Sequence, residues 1–126
     1  MLNLFDTQLL NLVQGNSAEI VITITDRKTG SFITIGENDK VLFTVKNSKG
    51  EKVIQKTLTS NDISESDGHS LLARIEPSET MILTGDYAYD CLLITGDGQA
   101  VTFISSKLII QKAVGLYTDV GGGTNE

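Results

Sequence analysis

The chain has 126 residues, a formal net charge of −6 and a pI near 4.7. That length fits one domain, which buries roughly two-thirds of its unfolded surface and can hold a core without staples. The acidic balance argues against nucleic acid and anionic membrane surfaces as partners, since both need clustered Lys and Arg. A single cysteine, Cys91, excludes an internal disulfide and a Cys-based zinc site. A single histidine, His69, removes most metal and triad constellations. Composition therefore points away from an enzyme and implies no cofactor. No apolar run approaches the ~20 residues of a transmembrane helix. The N-terminus MLNLFDTQLL lacks a basic n-region and a small-residue cleavage site, so no signal peptide is expected.

The chain carries 8 Val, 13 Ile and 14 Thr, against one Pro and no Trp. β-branched side chains sit best on a pleated surface, so strands are expected throughout. Residues 1–13, with the apolar run LLNLV, read as an N-terminal arm or a first strand. Gly15-Asn16 supplies a turn. Ala18 to Asp26 alternates strictly, with Ile20, Ile22 and Ile24 on one face and Val21, Thr23 and Thr25 on the other. After the charged turn DRKTG, Ser31 to Ile35 reads as a short edge strand. Lys40 to Lys46 places Val41, Phe43 and Val45 on one face, and Asn47 to Gly50 is a hairpin turn. Glu51 to Leu58 returns, with Ile54, Lys56 and Leu58 on a common face.

The stretch TSNDISESDG is polar and loop-like. His69 to Ile75 is the next strand, with Leu71, Ala73 and Ile75 inward. Pro77 to Leu83 is the one plausible helical turn, Pro77 suiting its first position. Asp86 to Thr95 is a long strand that ends at Gly96-Asp97-Gly98, a hairpin signal. Val101 to Lys112 is the last strand, with a bulge expected at Ser105-Ser106. Residues 115–126 end in GGGTNE, a flexible tail. Short strands at this spacing predict a single immunoglobulin-like antiparallel β-sandwich of about seven to nine strands, spanning residues 14–114.

One segment carries more information. Leu83 to Cys91 reads LTGDYAYDC. In immunoglobulin-like sandwiches a tyrosine near the start of strand F hydrogen-bonds back to upstream backbone. Tyr87 is assigned that corner, with Leu83 and Gly85 leading into it. The alternative is that Tyr87 and Tyr89 are ordinary strand aromatics.

The stretch LTGDYAYDCLLITGDGQAVTFISSKLIIQKAV resembles a pattern of small phage and prophage structural proteins: a Leu-x-x-Gly-x-Tyr-x-Tyr-Asp strand, an Asp-Gly hairpin and a Thr-containing last strand. It is similar to the immunoglobulin-like N-terminal domain of baseplate upper proteins from siphophages of Gram-positive bacteria. The upstream QGNSAEIVITITD strand and VLFTVKNSKGEKV hairpin fit the same order. The family usually has Gly before the last strand segment, where this chain has Ser105-Ser106. The resemblance implies a virion structural role in tail, baseplate or capsid decoration, assembled in the bacterial cytoplasm. Its implied partners are other virion proteins and copies of itself, with no nucleic acid and no membrane.

Other candidate sites favour bland readings. Asp86 and Asp90 are four residues apart on one strand, about 13 Å at ~3.3 Å per residue, too far for a glycosidase pair. Cys91 falls on the core face. His69-Ser70 points its two side chains to opposite faces. The acidic loop Asp62 to Gly68 lacks the order of an EF-hand. Lys46, Lys49, Lys52 and Lys56 concentrate charge on one hairpin, as an edge strand does to resist pairing. A carbohydrate- or ligand-binding sandwich is the alternative function. Its aromatic platform would come from Phe5, Phe32 or Tyr117, since Phe43, Tyr87, Tyr89 and Phe103 suit the core.

Candidate contact surfaces follow from the leftover apolar residues. With Tyr87, Tyr89, Cys91 and Leu93 inward, Leu92 and Ile94 turn outward, and Leu108 and Ile110 are expected to join them. Leu2, Leu4 and Phe5 make the N-terminus an interaction arm, as do Leu116 and Tyr117 at the other end. The competing reading is that an arm of the same chain covers the patch.

Overall fold

The computed structural model describes residues 10–26, 28–82 and 84–112. Among them are nine strands: β1 (Leu10–Val13), β2 (Ala18–Ile22), β3 (Ile24–Thr25), β4 (Phe32–Ile33), β5 (Lys40–Lys46), β6 (Lys52–Leu58), β7 (Leu71–Ile75), β8 (Gly85–Ile94) and β9 (Ala100–Gln111). A 3-10 turn (Ser60–Asp62) and a single helical turn, α1 (Pro77–Thr80), complete them. The large sheet has the order β1-β9-β8-β5-β6, β2 pairs with β7, and β3 pairs with β4. Strands 5, 8 and 9 side by side in one layer, with 2 and 7 in the other, are the C-F-G and B-E pairs of an immunoglobulin-like sandwich. The fold is all-β. Its ladders are antiparallel except β1 with β9, which run parallel.

β1 is part of the domain rather than an arm outside it. Leu10 and Leu12 pair with Leu108 and Ile110, and Leu12 is buried in the core. The tail at 115–126 lies outside the described residues.

The core forms where the inward faces of the two layers meet. Phe43, Cys91 and Ile104 stand in one cross-strand row over β5, β8 and β9, at 0%, 0% and 5% exposure. Opposite them lie Ile20, Ile22, Leu71, Ala73 and Ile75 from the small sheet, all buried. The alternation in β2, β5 and β7 thus places its β-branched and aromatic residues as period 2 requires. The rings of Phe43 and Tyr89 meet at 5.6 Å with a 44° tilt, within the tilted aromatic range.

β9 carries a correction. Its pairing with β8 shifts register between Cys91 and Leu92: Cys91 opposes Ile104, but Leu92 opposes Thr102. Phe103 is therefore the extra residue, and both Phe103 and Ile104 are buried. The bulge falls there and not at Ser105-Ser106, which pair regularly with Asp90 and Tyr89.

Two local devices fix the loops. Thr80 is fully buried, and its hydroxyl donates to the Asn16 carbonyl at 2.8 Å, tying α1 to the turn after β1. Gly96 opens the β8–β9 turn against Asn38, where a Cβ would come within 2.8 Å of the Asn38 Cβ. Its N–H donates to Asp39 Oδ1 at 2.8 Å.

Phe43→Ala should lower stability by about 3–5 kcal/mol, the usual cost of emptying a fully buried ring site. A thermal melt within a degree or two of wild type would contradict this packing.

Candidate interaction surfaces

No group of three or more His, Cys, Asp or Glu that could hold a metal ion occurs among the described residues. The remaining candidates are surfaces and one loop, each placed by a strand register.

On the outer face of the large sheet, Leu92 lies directly opposite Leu42 of β5, and Ile94 lies between Lys40 and Ala100. Leu42, Leu92 and Ile94 are all half-buried, a small apolar cluster beside Thr102 and the polar pair Gln55–Thr44. Leu108 and Ile110 do not join it. They are buried in the core at 0% and 1% exposure, opposite Tyr87 and Gly85. The bulge is the cause. Strict alternation from Val101 would turn Leu108 outward, but one extra residue at Phe103 exchanges the two faces for the rest of the strand. Leu42 supplies the partner instead, and the alternation of Val41, Phe43 and Val45 already implied that it faces outward. Leu2, Leu4, Phe5, Leu116 and Tyr117 lie outside the described residues.

Around the assigned corner, Gly85 opens β8 with φ +136°, Tyr87 is half-buried and Leu83 lies outside the described residues. Tyr89, two positions before Cys91, is the more buried tyrosine at 4% exposure. Tyr87 lines a shallow cavity of about 730 Å³ with Val53, Met81, Ile82, Lys49 and Asp86, at the end of the sandwich nearest the β5–β6 turn. The lining mixes apolar and charged groups and presents no convergent reactive pair.

Asp86 and Asp90 both sit on the outer face of β8, one exposed and one half-buried. Cys91 is buried, and its thiol is pushed up to about 12 by burial first and the Asp90 charge second. A thiol so held is not a nucleophile at neutral pH. β6 is an edge of the large sheet, and Lys52 and Lys56 lie along it. Lys56 reaches α1, with Nζ 2.6 Å from Glu79 Oε2.

The loop before β7 turns two of its acids, Asp62 and Asp67, on itself. Asp62 Oδ2 accepts the Thr59 N–H at 2.8 Å. Asp67 Oδ1 accepts the N–H groups of His69 and Ser70, each at 2.9 Å. The Ser70 hydroxyl and these two N–H groups hold the Asp67 carboxyl down to about 2. His69 and Ser70 precede β7, which begins at Leu71. The His69 ring stacks on Phe32, with centroids 4.0 Å apart and planes within 12°. The Ser70 hydroxyl lies 3.0 Å from that of Thr23. Histidine and serine thus face different partners.

No protein-family model matches the chain, and no curated protein does. Among solved structures it is similar to CopC from Methylosinus trichosporium OB3b, at 11% identity, TM-score 0.48, over 86% of this chain and 88% of that one. It is also similar to fibronectin(III)-like modules of CbhA from Clostridium thermocellum, at 14% identity, TM-score 0.42, over 86% and 92%. The class of the protein, an immunoglobulin-like β-sandwich, rests on its own strand order.

Two outcomes check this description. Cys91 should resist thiol reagents at pH 8 in the folded protein and react on unfolding; rapid native labelling would contradict its burial. Asp67 releases its proton more readily folded than unfolded, so its stabilisation is complete above about pH 4 and is lost as pH falls through about 2. Asp67→Asn should therefore flatten the fall in melting temperature between pH 4 and 2, and an unchanged acid limb would count against the loop assignment.

Proposed function

We propose that this chain is a non-enzymatic structural component of a phage or phage-derived particle, in a tail or baseplate or as capsid decoration, assembling through repeated protein–protein contacts. The observation that carries the reading is the LTGDYAYDC strand with its Asp97-Gly98 hairpin and Thr-containing last strand. Most of that segment becomes the β8–β9 hairpin, the two longest strands of the domain. The Leu42, Leu92 and Ile94 cluster on the outer face of β5 and β8 supports a contact role, because adjacent apolar side chains on a sheet surface gain from being covered. Completing the burial of Leu92 and Ile94 is worth roughly 2–3 kcal/mol before association costs.

Phe32 bears on the ligand-binding alternative. It is 60% exposed, as a platform requires, but the stacked His69 ring already covers one face.

The test is Leu92→Lys with Ile94→Lys, followed by circular dichroism and an assay of incorporation into particles. A folded protein that no longer enters the particle is the expected result. Unfolding would assign the pair to the domain's own core, and unchanged incorporation would remove this face from the contacts. Tail or capsid genes on both sides of the coding sequence would support the class independently.

A further inference from the structure

Val21, Phe32 and Met81 are the exposed large hydrophobic residues among those described, and the first two share a surface away from the Leu92 cluster. In antiparallel pairs, residues directly opposite project to the same side. Glu19 opposes Arg74 and Val21 opposes Leu72 between β2 and β7. Thr25 opposes Phe32 between β3 and β4. The Thr23–Ser70 hydroxyl contact at 3.0 Å bridges the gap. Ile20, Ile22 and Ile24 stay buried across the β2–β3 break, so Glu19, Val21, Thr23 and Thr25 remain on one outward line. The result is a stripe on the outside of the small-sheet layer, with the half-buried Thr23 at its middle over the buried Ser70.

The stripe has a centre and two unlike ends. Val21–Leu72 lies two residues before Thr23, and Thr25–Phe32 two residues after it. At one end Arg74 Nη2 meets Glu19 Oε2 at 3.4 Å, with side chains 75% and 46% exposed. At the other lie Asp67 beside His69 and, in the turn after β3, Lys28 and Asp26.

We propose that this stripe binds the same stripe of a second copy, with strands antiparallel about a two-fold axis that lies between the faces and crosses Thr23. That operation sets Val21–Leu72 over Thr25–Phe32, apolar on apolar, and does so twice. It carries Arg74 to the end holding Asp67 and Asp26, and Glu19 to the end holding Lys28. One surface thus meets itself with opposite charges at both ends, as an isologous contact requires. Glu19 lies four residues from Thr23 and Asp26 three, about 13 Å and about 10 Å at ~3.3 Å per residue, a difference that the long Arg74 side chain spans. The charge pattern selects a second copy as the occupant. The proposal needs only the isolated chain and stands whether or not the protein belongs to a phage particle.

The experiment uses Thr23→Cys and a short bismaleimide. Cys91 is buried, so the unmodified protein serves as the control for its reaction with the reagent. A residue on the axis meets its own counterpart, so Thr23→Cys should yield covalent dimers within minutes, while Thr102→Cys on the opposite layer should not. Adding Val21→Asp and Phe32→Asp, both at exposed positions, should leave the circular dichroism spectrum intact and cut cross-linking at least tenfold. Sedimentation equilibrium of the unmodified protein should show a concentration-dependent dimer that the same pair abolishes. A monomer at every concentration overturns the proposal. So does cross-linking that ignores Val21→Asp and Phe32→Asp. If the dimer forms only after removal of residues 1–9, the chain's own N-terminal segment occupies the stripe, and the proposal falls.

Discussion

The inward and outward faces of β9 depend on one extra residue opposite the Cys91–Leu92 step of β8. A side-chain period of two is unforgiving, because a single insertion exchanges the two faces for every residue beyond it. Phe103 and Ile104 therefore both enter the core, and Leu108 and Ile110 follow Ile104 inward. Those two residues then meet Leu10 and Leu12 of β1, which gives the parallel β1–β9 pair its buried face. Without the bulge, Leu108 and Ile110 would face solvent, β1 would lose its apolar partners and the edge of the large sheet would be left open.

Polar groups near the core are held by defined partners. Thr80 is fully buried yet donates to the Asn16 carbonyl, so its hydroxyl leaves no unmet hydrogen bond. Ser70 is buried beside Thr23 and also bonds Asp67, which in turn takes two backbone N–H groups. The acidic loop before β7 is thereby used for its own closure. The same economy appears where Lys56 reaches Glu79: desolvation opposes the Glu79 charge, but the Glu76 N–H and the Lys56 ammonium outweigh it and hold the carboxyl below its usual value.

The two outer faces differ in chemistry. On the large sheet the apolar residues Leu42, Leu92 and Ile94 are half-buried by their neighbours, beside Thr102 and the Gln55–Thr44 pair, with Lys40 opposite Ile94. On the small layer Val21 and Phe32 stand well clear of the surface between charged ends. The first resembles a patch that a partner would cover by shape, while the second carries charges that fix orientation as well. An isologous face alone closes at a dimer, so growth beyond a dimer would need a second, unlike contact.

Much of the fold was legible in the sequence. Strict alternation in Ile20-Ile22-Ile24, Val41-Phe43-Val45 and Leu71-Ala73-Ile75 determined which side of each strand is buried, because a strand's geometry allows one answer per pattern. Pro77, Gly50 and Gly98 marked a helical turn and two hairpins by the backbone angles they permit. The inward face of β8 from Tyr89 to Leu93 followed the same rule. Tertiary structure alone decided the rest. The position of the bulge has no signature in VTFISSKLII, where the serine pair drew the expectation to Ser105-Ser106; pairing with β8 placed it at Phe103 instead. That choice sent Leu108 and Ile110 to the core and removed them from the contact surface. The join of Phe32 to His69, and of Thr23 to Ser70, also depended on non-local pairing, which brings together residues dozens of positions apart and leaves no local trace in the chain.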